Sequence, residues 1–362
     1  PKRTNAATET STMASQNSVI RFRSEHPIIV ADKPWEVGAG LRAISVMPDP
    51  GHDRLRLYYL VWNRPDFTQN ALCVAYSKDG LNWEKPDLGE GHNVVMRGSG
   101  LKMNWGVFFP NQVICDPAEE DADLRWKMAY WDRPTETSPC GFCFAVSPDG
   151  FAWRKLNDHP SITNVNDGCS LIAAPGPCPC PGLKSGYLLY QQTWKFNPNL
   201  PVDRDNLGGI HRRISLWTAG NFYDTWVGPI LVLEPDELDP LDLQFYWLTA
   251  FPTKTGYGGF LWCHHTIDQT MDIQLVTSPD GWTWDRANDR QPILPVGAPG
   301  LFDCGSVASI SGPMRVGDKT YILYCGRART HDQALRCPDL PCPEPDEGIG
   351  IAEIEPGVLD IP

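Results

Sequence analysis

Three stretches of this chain end alike: AYSKDGLNW closes at Trp83, AVSPDGFAW at Trp153 and VTSPDGWTW at Trp284. In each, alternating apolar residues run into Ser, a Lys or Pro, Asp-Gly, two further residues and Trp. Asp-Gly is a tight-turn pair, because Gly accepts positive φ and the Asp side chain takes up nearby backbone N–H groups. A recurring turn of this chemistry is the mark of a repeat architecture, in which each unit buries its faces against its neighbours.

The spacing exposes a degenerate copy. Trp83 and Trp153 are 70 residues apart, whereas Trp153 and Trp284 are 131 apart, room for one more unit. RRISLWTAGNFYDTW, from Arg212 to Trp226, fills it with a longer Gly220–Asp224 turn and the same terminal Trp. Strand-like runs upstream complete five sheets. The first has runs from Leu41, Leu55 and Ala71; the second from Gly106, Arg125 and Gly141; the third from Cys169, Gly186, Arg212 and Gly228. The fourth has runs from Leu243, Gly258 and Asp272, and the fifth from Gly305, Thr320 and Gly348. The fifth lacks an outer strand, and NSVIRFR from Asn17 is the expected donor, clasping the chain's beginning to its end. The pattern predicts an all-β fold: a five-bladed β-propeller over residues 19–362, preceded by a flexible segment at 1–18. A sixth blade within 286–347 and a two-domain β arrangement are the alternatives. Closure removes exposed sheet edges.

Composition agrees. Fourteen Trp, eleven Tyr and thirteen Phe suit strands, and 32 Gly with 34 Pro suit many tight turns among the 362 residues. A net charge of −13 without a basic groove argues against a nucleic-acid partner. No apolar run reaches the length of about 18 residues that a membrane span needs. Of twelve cysteines, Cys73, Cys143, Cys263 and Cys325 sit inside apolar strands as small hydrophobes, while Cys178, Cys180, Cys337 and Cys342 lie in Pro-rich loops as the better disulfide candidates. Cys140–Cys143 resembles half a zinc site without its second half. Compartment stays open between cytoplasmic and secreted or periplasmic.

In a propeller, residues just before each inner strand gather at one mouth. Here those are Asp32 and Glu36, Asn104, Asp167, Asp239 and Asp242, and Asp303. Taken singly each is a turn former; taken as a ring they form a set of converging carboxylates. Paired carboxylates perform glycoside hydrolysis, one protonating the leaving oxygen while the other activates water or attacks the anomeric carbon. Trp35, Trp62, Trp105, Trp131, Trp194 and Tyr257 offer rings to stack on a sugar. Arg42, Arg133, His211, His264, His265 and Arg327 offer donors for hydroxyls, a carboxylate or phosphate. His264 and His265 are adjacent in a strand and so face opposite ways, which disfavours a shared metal. The function expects no required cofactor, with structural Ca2+ as the one ion that converging carboxylates would suit.

These residues resemble the five-bladed propeller glycoside hydrolases, the group of arabinanases, β-xylosidases, fructosidases and mannoside phosphorylases, and more closely a set of bacterial glycosyl hydrolases of unassigned substrate. The likeness spans about residues 26–355 and rests on ADKPWE (Ala31–Glu36), YSKDGLNWEKPDLG (Tyr76–Gly89), CDPAEEDADLRWKMAY (Cys115–Tyr130), PDELDPLDLQFY (Pro235–Tyr246) and FDCGSV (Phe302–Val307). It implies an acidic triad. Asp303 would be a channel-mouth carboxylate, Asp32 or Glu36 the first-blade base or nucleophile and Asp167 the tuning acid. Asp239 or Asp242 would be a partner, with Glu237 the nearby glutamate for a general acid. The fructosidase signatures Asn-Asp-Pro-Asn-Gly and Glu-Cys-Pro are missing. The expected activity is removal of a terminal glycosyl unit, furanosyl among the options, from an oligosaccharide or glycoside. Phosphorolysis, transglycosylation and non-catalytic carbohydrate binding are the alternatives.

Overall fold

The computed structural model describes residues 19–63, 68–89, 91–101, 108–163, 166–174, 186–197, 208–308, 310–336 and 345–362. Segment 1–18, Asn104, Trp105 and the four loop cysteines lie outside the described residues.

Nearly every described element is a strand. A short β1 (Ile20–Arg23) precedes a sheet of β2 (Ala39–Pro48), β3 (Leu55–Asn63), β4 (Ala71–Ser77) and β5 (Val94–Arg97). The second sheet holds β6 (Phe109–Cys115), β7 (Trp126–Asp132), β8 (Gly141–Ser147), β9 (Arg154–Lys155) and β10 (Ile162–Thr163). The third is β11 (Cys169–Ala173), β12 (Tyr187–Phe196), β13 (Ile210–Ala219) and β14 (Val227–Leu233). Next come β15 (Leu243–Thr253), β16 (Gly256–His265), β17 (Met271–Ser278) and β18 (Asp285–Arg286), then β19 (Ser306–Ala308), β20 (Met314–Val316), β21 (Lys319–Arg327), helix α1 (His331–Arg336) and β22 (Glu347–Ile354). These last two antiparallel groups join through a single parallel pairing, Met271 with Ser306, and with β1 make one nine-stranded sheet. The N-terminal β1 pairs antiparallel with β22, as expected of a clasp. The arrangement is propeller-like, and no described helix is long and apolar enough to cross a membrane.

The repeated turns do two jobs. Ser77 Oγ accepts from Gly80 N at 2.8 Å, and Asp79 Oδ1 accepts from Leu81 and Asn82 N at 2.9 and 2.8 Å. The same bonds recur around Ser147–Asp149 and Ser278–Asp280. Those backbone donors hold the Asp79 carboxyl well below its usual range. The turn glycines have φ of 75°, 80° and 79°, where a side chain is strained. Each turn then docks on the preceding sheet: Tyr58 OH donates to Gly150 O and Tyr190 OH to Gly281 O, while Gly80 abuts Met314 and Val316. The degenerate turn docks by aromatic contact instead, Trp226 stacking on Phe144 at 5.0 Å.

The inner strands are stitched side by side. Ser45 Oγ accepts from Val113 N, Asn111 Oδ1 from Cys169 N, and Ser170 Oγ from Ala250 N; Thr249 Oγ1 donates to Ile310 O. Polar side chains can be buried here because each finds its partner. Phe109, Trp247 and Trp262 pack together, Trp247 stacking on Trp262 at 4.8 Å, and line a cavity of about 10 Å³, room for one water.

Candidate functional site

Asp167 precedes β11 by two residues, and Gly168 between them packs so closely on Trp247 that a Cβ would lie 2.6 Å from its ring. The Asp167 carboxyl is half-buried, and burial pushes its pKa up to about 6, with its own backbone N–H, Arg42 and Arg212 pulling the other way. A carboxyl titrating there can exchange a proton near neutrality.

Arg42, near the start of β2, pairs with Glu347 at 3.5 Å and lies 5.1 Å over the Trp62 ring. Glu347 opens β22, is largely buried, and accepts from Cys325 Sγ at 3.4 Å. Arg212 opens β13; its Nη1 donates to Gln244 Oε1 at 2.7 Å, and the guanidinium stands 5.1 Å over Tyr246. His264 ends β16 and His331 begins α1, with ring centroids 4.9 Å apart. Arg327 ends β21 and donates to Ser306 Oγ at 3.0 Å. On the rim Trp194 is 38% exposed and donates to Gln192 Oε1 at 3.0 Å, while Gln192 Nε2 bonds Tyr246 O at 2.6 Å. The region therefore assembles two carboxylates, three guanidiniums, two imidazoles and aromatic surfaces from three of the sheets.

The other anticipated acids are placed differently. Asp303 is fully buried and its Oδ2 accepts from Arg23 Nη2 at 2.5 Å and Tyr324 OH at 2.9 Å, so it pins the N-terminal clasp. Its Oδ2 is thereby committed to the clasp, while its Oδ1 is buried without a hydrogen-bond partner. Glu36, also fully buried, accepts from Tyr59 OH at 2.7 Å and Lys85 Nζ at 2.6 Å. Asp32, largely exposed, shares the same Lys85 at 2.6 Å. Asp239 takes Arg286 and Arg290 at 3.1 and 3.2 Å. Asp242 receives Ile267 N at 3.4 Å, and Glu237 is exposed in the same loop. Loop bracing accounts for Glu36, Asp239 and Asp242.

Among the binding candidates, Tyr257 lies apart from the Arg42–Arg212 cluster. It starts β16, at the opposite end of that strand from His264, and lines a groove of about 330 Å³ with Thr253, Thr277 and Val358. Arg133 is occupied within its own loop, bonding the Ser138 and Glu136 carbonyls. Trp131 packs edge-on against Phe142 inside the core, and Trp35 against His92 away from the Arg42 cluster's contacts. His211 bonds Leu243 O at 2.8 Å. His265 turns outward to Asp272 at 2.9 Å while His264 turns inward, as strand alternation requires. Among the described residues no group of three or more His, Cys, Asp or Glu is placed to hold a metal ion, and the eight described cysteines are free thiols. Glu347, Arg212, Tyr246, Gln269 and His331 were not anticipated. The available signal was antiparallel order, since the ends of second strands and the starts of third strands share the mouth with the starts of inner strands.

No family model matches the chain, and no curated protein does. Solved structures share its fold. A glycoside hydrolase superposes with a TM-score of 0.59 at 12% identity, over 95% of each chain. A thermostable family-43 glycoside hydrolase gives 0.57 at 14%, over 93% of this chain and 95% of that one. A protein from the GH130 family of mannoside phosphorylases and glycoside hydrolases gives 0.54 at 13%, over 94% and 92%. At these identities the likeness shows a shared fold, over nearly the whole chain.

Proposed function

We propose that this chain is a five-bladed propeller glycosidase that removes a terminal glycosyl unit at the mouth built around Asp167. The observation that carries the reading is that half-buried carboxyl, which burial pushes up to about 6 against the opposing influence of its backbone N–H, Arg42 and Arg212. Asp167 serves as the proton donor to the leaving oxygen, being the acid whose proton is exchangeable in the neutral range. Glu347, in its ion pair with Arg42, serves as the second carboxylate, as base or nucleophile. Trp62 and Trp194 supply faces for the sugar, and the reading asks for no resident cofactor. Fold likeness to glycoside hydrolases raises the prior without assigning the chemistry.

The test is a screen of aryl furanosides, aryl pyranosides and natural oligosaccharides, with and without phosphate, on the native chain and Asp167→Asn. The substitution should lower turnover by roughly 10²–10⁴-fold, the usual worth of a positioned general acid. It should also remove the inflection near pH 6 from the rate profile. Turnover that Asp167→Asn leaves intact defeats the assignment.

A further inference from the structure

Glu347 is seated more closely than the start of a strand requires. Gly40 on β2 is buried, and a Cβ built on it would lie 2.5 Å from Glu347 Cδ and Oε1 and 2.6 Å from Oε2. The φ of Gly40 lies outside the left-handed region, so its backbone is one that other residues adopt. What glycine provides at this position is room, and the Glu347 carboxylate takes it.

Two donors from neighbouring strands reach one oxygen of that carboxylate. Cys325 Sγ on β21 donates to Glu347 Oε1 at 3.4 Å, nearer than its other acceptor, Gly326 O at 3.9 Å. Arg42 Nη2 on β2 stands 3.5 Å from the same oxygen. Cys325 is fully buried; burial, then the charge of Glu347, pushes its thiol up to about 12 against the pull of Arg42 and Arg327. It therefore keeps its hydrogen through the neutral range and acts as a donor, not as a thiolate. Arg327 is the cross-strand neighbour of Glu347, and Arg42 is shared electrostatically with Tyr246 and Asp167. The seat thus spans β2, β21 and β22, the first sheet and the last strands of the chain.

We propose that Gly40 and Cys325 are positioning residues for Glu347, the glycine admitting its carboxylate against β2 and the thiol holding it ionised beside Arg42. The inference rests on the glycosidase reading, in which Glu347 is the second carboxylate, and assigns what fixes it before substrate arrives. A hydrogen bond to the charged form favours that form. Fixing matters because misplacement of a reacting group by about 1 Å can cost on the order of 10²-fold in rate.

The experiment compares the native chain with Gly40→Ala, Cys325→Ala and Cys325→Ser, melting temperatures checking that each folds. An added Cβ at position 40 meets first the far end of a flexible side chain, so Gly40→Ala should move the carboxylate while the fold stands. In that variant kcat for an aryl glycoside should fall about 100-fold with KM little changed. In Cys325→Ala the acidic limb of kcat/KM should move up by about half a pH unit to one unit, because a donor favouring the charged form is gone. Cys325→Ser keeps a donor and should hold the limb near its native place. Carbon-13 NMR of glutamate-labelled protein, with the Glu347 resonance assigned by its loss in Glu347→Gln, follows the same titration without substrate. If that resonance shifts in Cys325→Ala and Gly40→Ala while the native chain turns over no glycoside, the seat stands and the glycosidase reading falls. If glycoside is turned over and kcat, limb and resonance ignore all three substitutions, the seat is refuted and the reading survives. A serine variant that titrates like the alanine one makes the thiol mere filling and overturns its part in the proposal.

Discussion

Asp167 and Glu36 are both acids set just before an inner strand, and their surroundings give them opposite characters. Glu36 is enclosed and compensated by Lys85 and Tyr59, whereas burial pushes the Asp167 carboxyl up from the ordinary carboxylate range to about 6. Between about pH 4 and pH 6 the folded protein keeps a proton on Asp167 that the unfolded chain releases. Stability from this group therefore falls as pH rises through that window, and its charge is a cost above it. Asp167→Asn should stabilise the protein at pH 8 by about 2 kcal/mol, after allowance for partial solvation of a half-buried group. At pH 4 it should change little. Chemical denaturation of both forms at the two pH values measures this, and an equal effect at both would refute the raised pKa.

At the scale of elements, the Ser-x-Asp-Gly-x-x-Trp turns carry the ring order, because each glycine touches the sheet before its own. Gly150 combines a φ of 80° with a neighbour, Tyr58 Oη, that would stand 2.2 Å from an added Cβ. Gly150→Ala should cost about 3 kcal/mol, from left-handed strain together with displacement of the tyrosine. An exposed glycine of positive φ such as Gly51, with nothing within 4 Å, should cost only the strain. Equal melting shifts for the two variants would show that the turn does not act as a dock.

These turns were legible because their chemistry is local: a serine, an aspartate and a glycine bond one another within four residues. The strands followed from alternation. The mouth was legible only in part. Acids before inner strands stand out in the sequence, yet nothing local reveals that Lys85 closes on Glu36 or that Arg23 reaches Asp303 across 280 residues. Glu347 and Arg212 went unnoticed because they lie near the starts of third strands, whereas Tyr257 lies near the start of a second strand. Antiparallel order sends those starts to alternate ends of a blade.

For the whole molecule the decisive join is between its two ends. The β1 strand covers an edge of β22 that would otherwise present unpaired N–H and C=O groups. Arg23 extends this join inward, reaching Asp303 with Nε and Nη2 and the Pro295 carbonyl with Nη1. Two perturbations therefore act on one device. A chain beginning at Glu25 loses both the strand and the guanidinium, and Asp303→Asn keeps the strand but weakens the pair. Removing one partner of a buried ion pair costs about 3 kcal/mol or more, because the other is left uncompensated. In the shortened chain Asp303 is that stranded partner, so Asp303→Asn should cost little there, or even restore some stability. Coupling of this kind is expected of groups that share an interaction and not of distant ones. Melting temperatures of the four forms, native, shortened, substituted and both, measure it directly, with light scattering to follow association through the bared edge. Additive losses would mean that Asp303 serves something other than the clasp, and would reopen a role for it at the mouth.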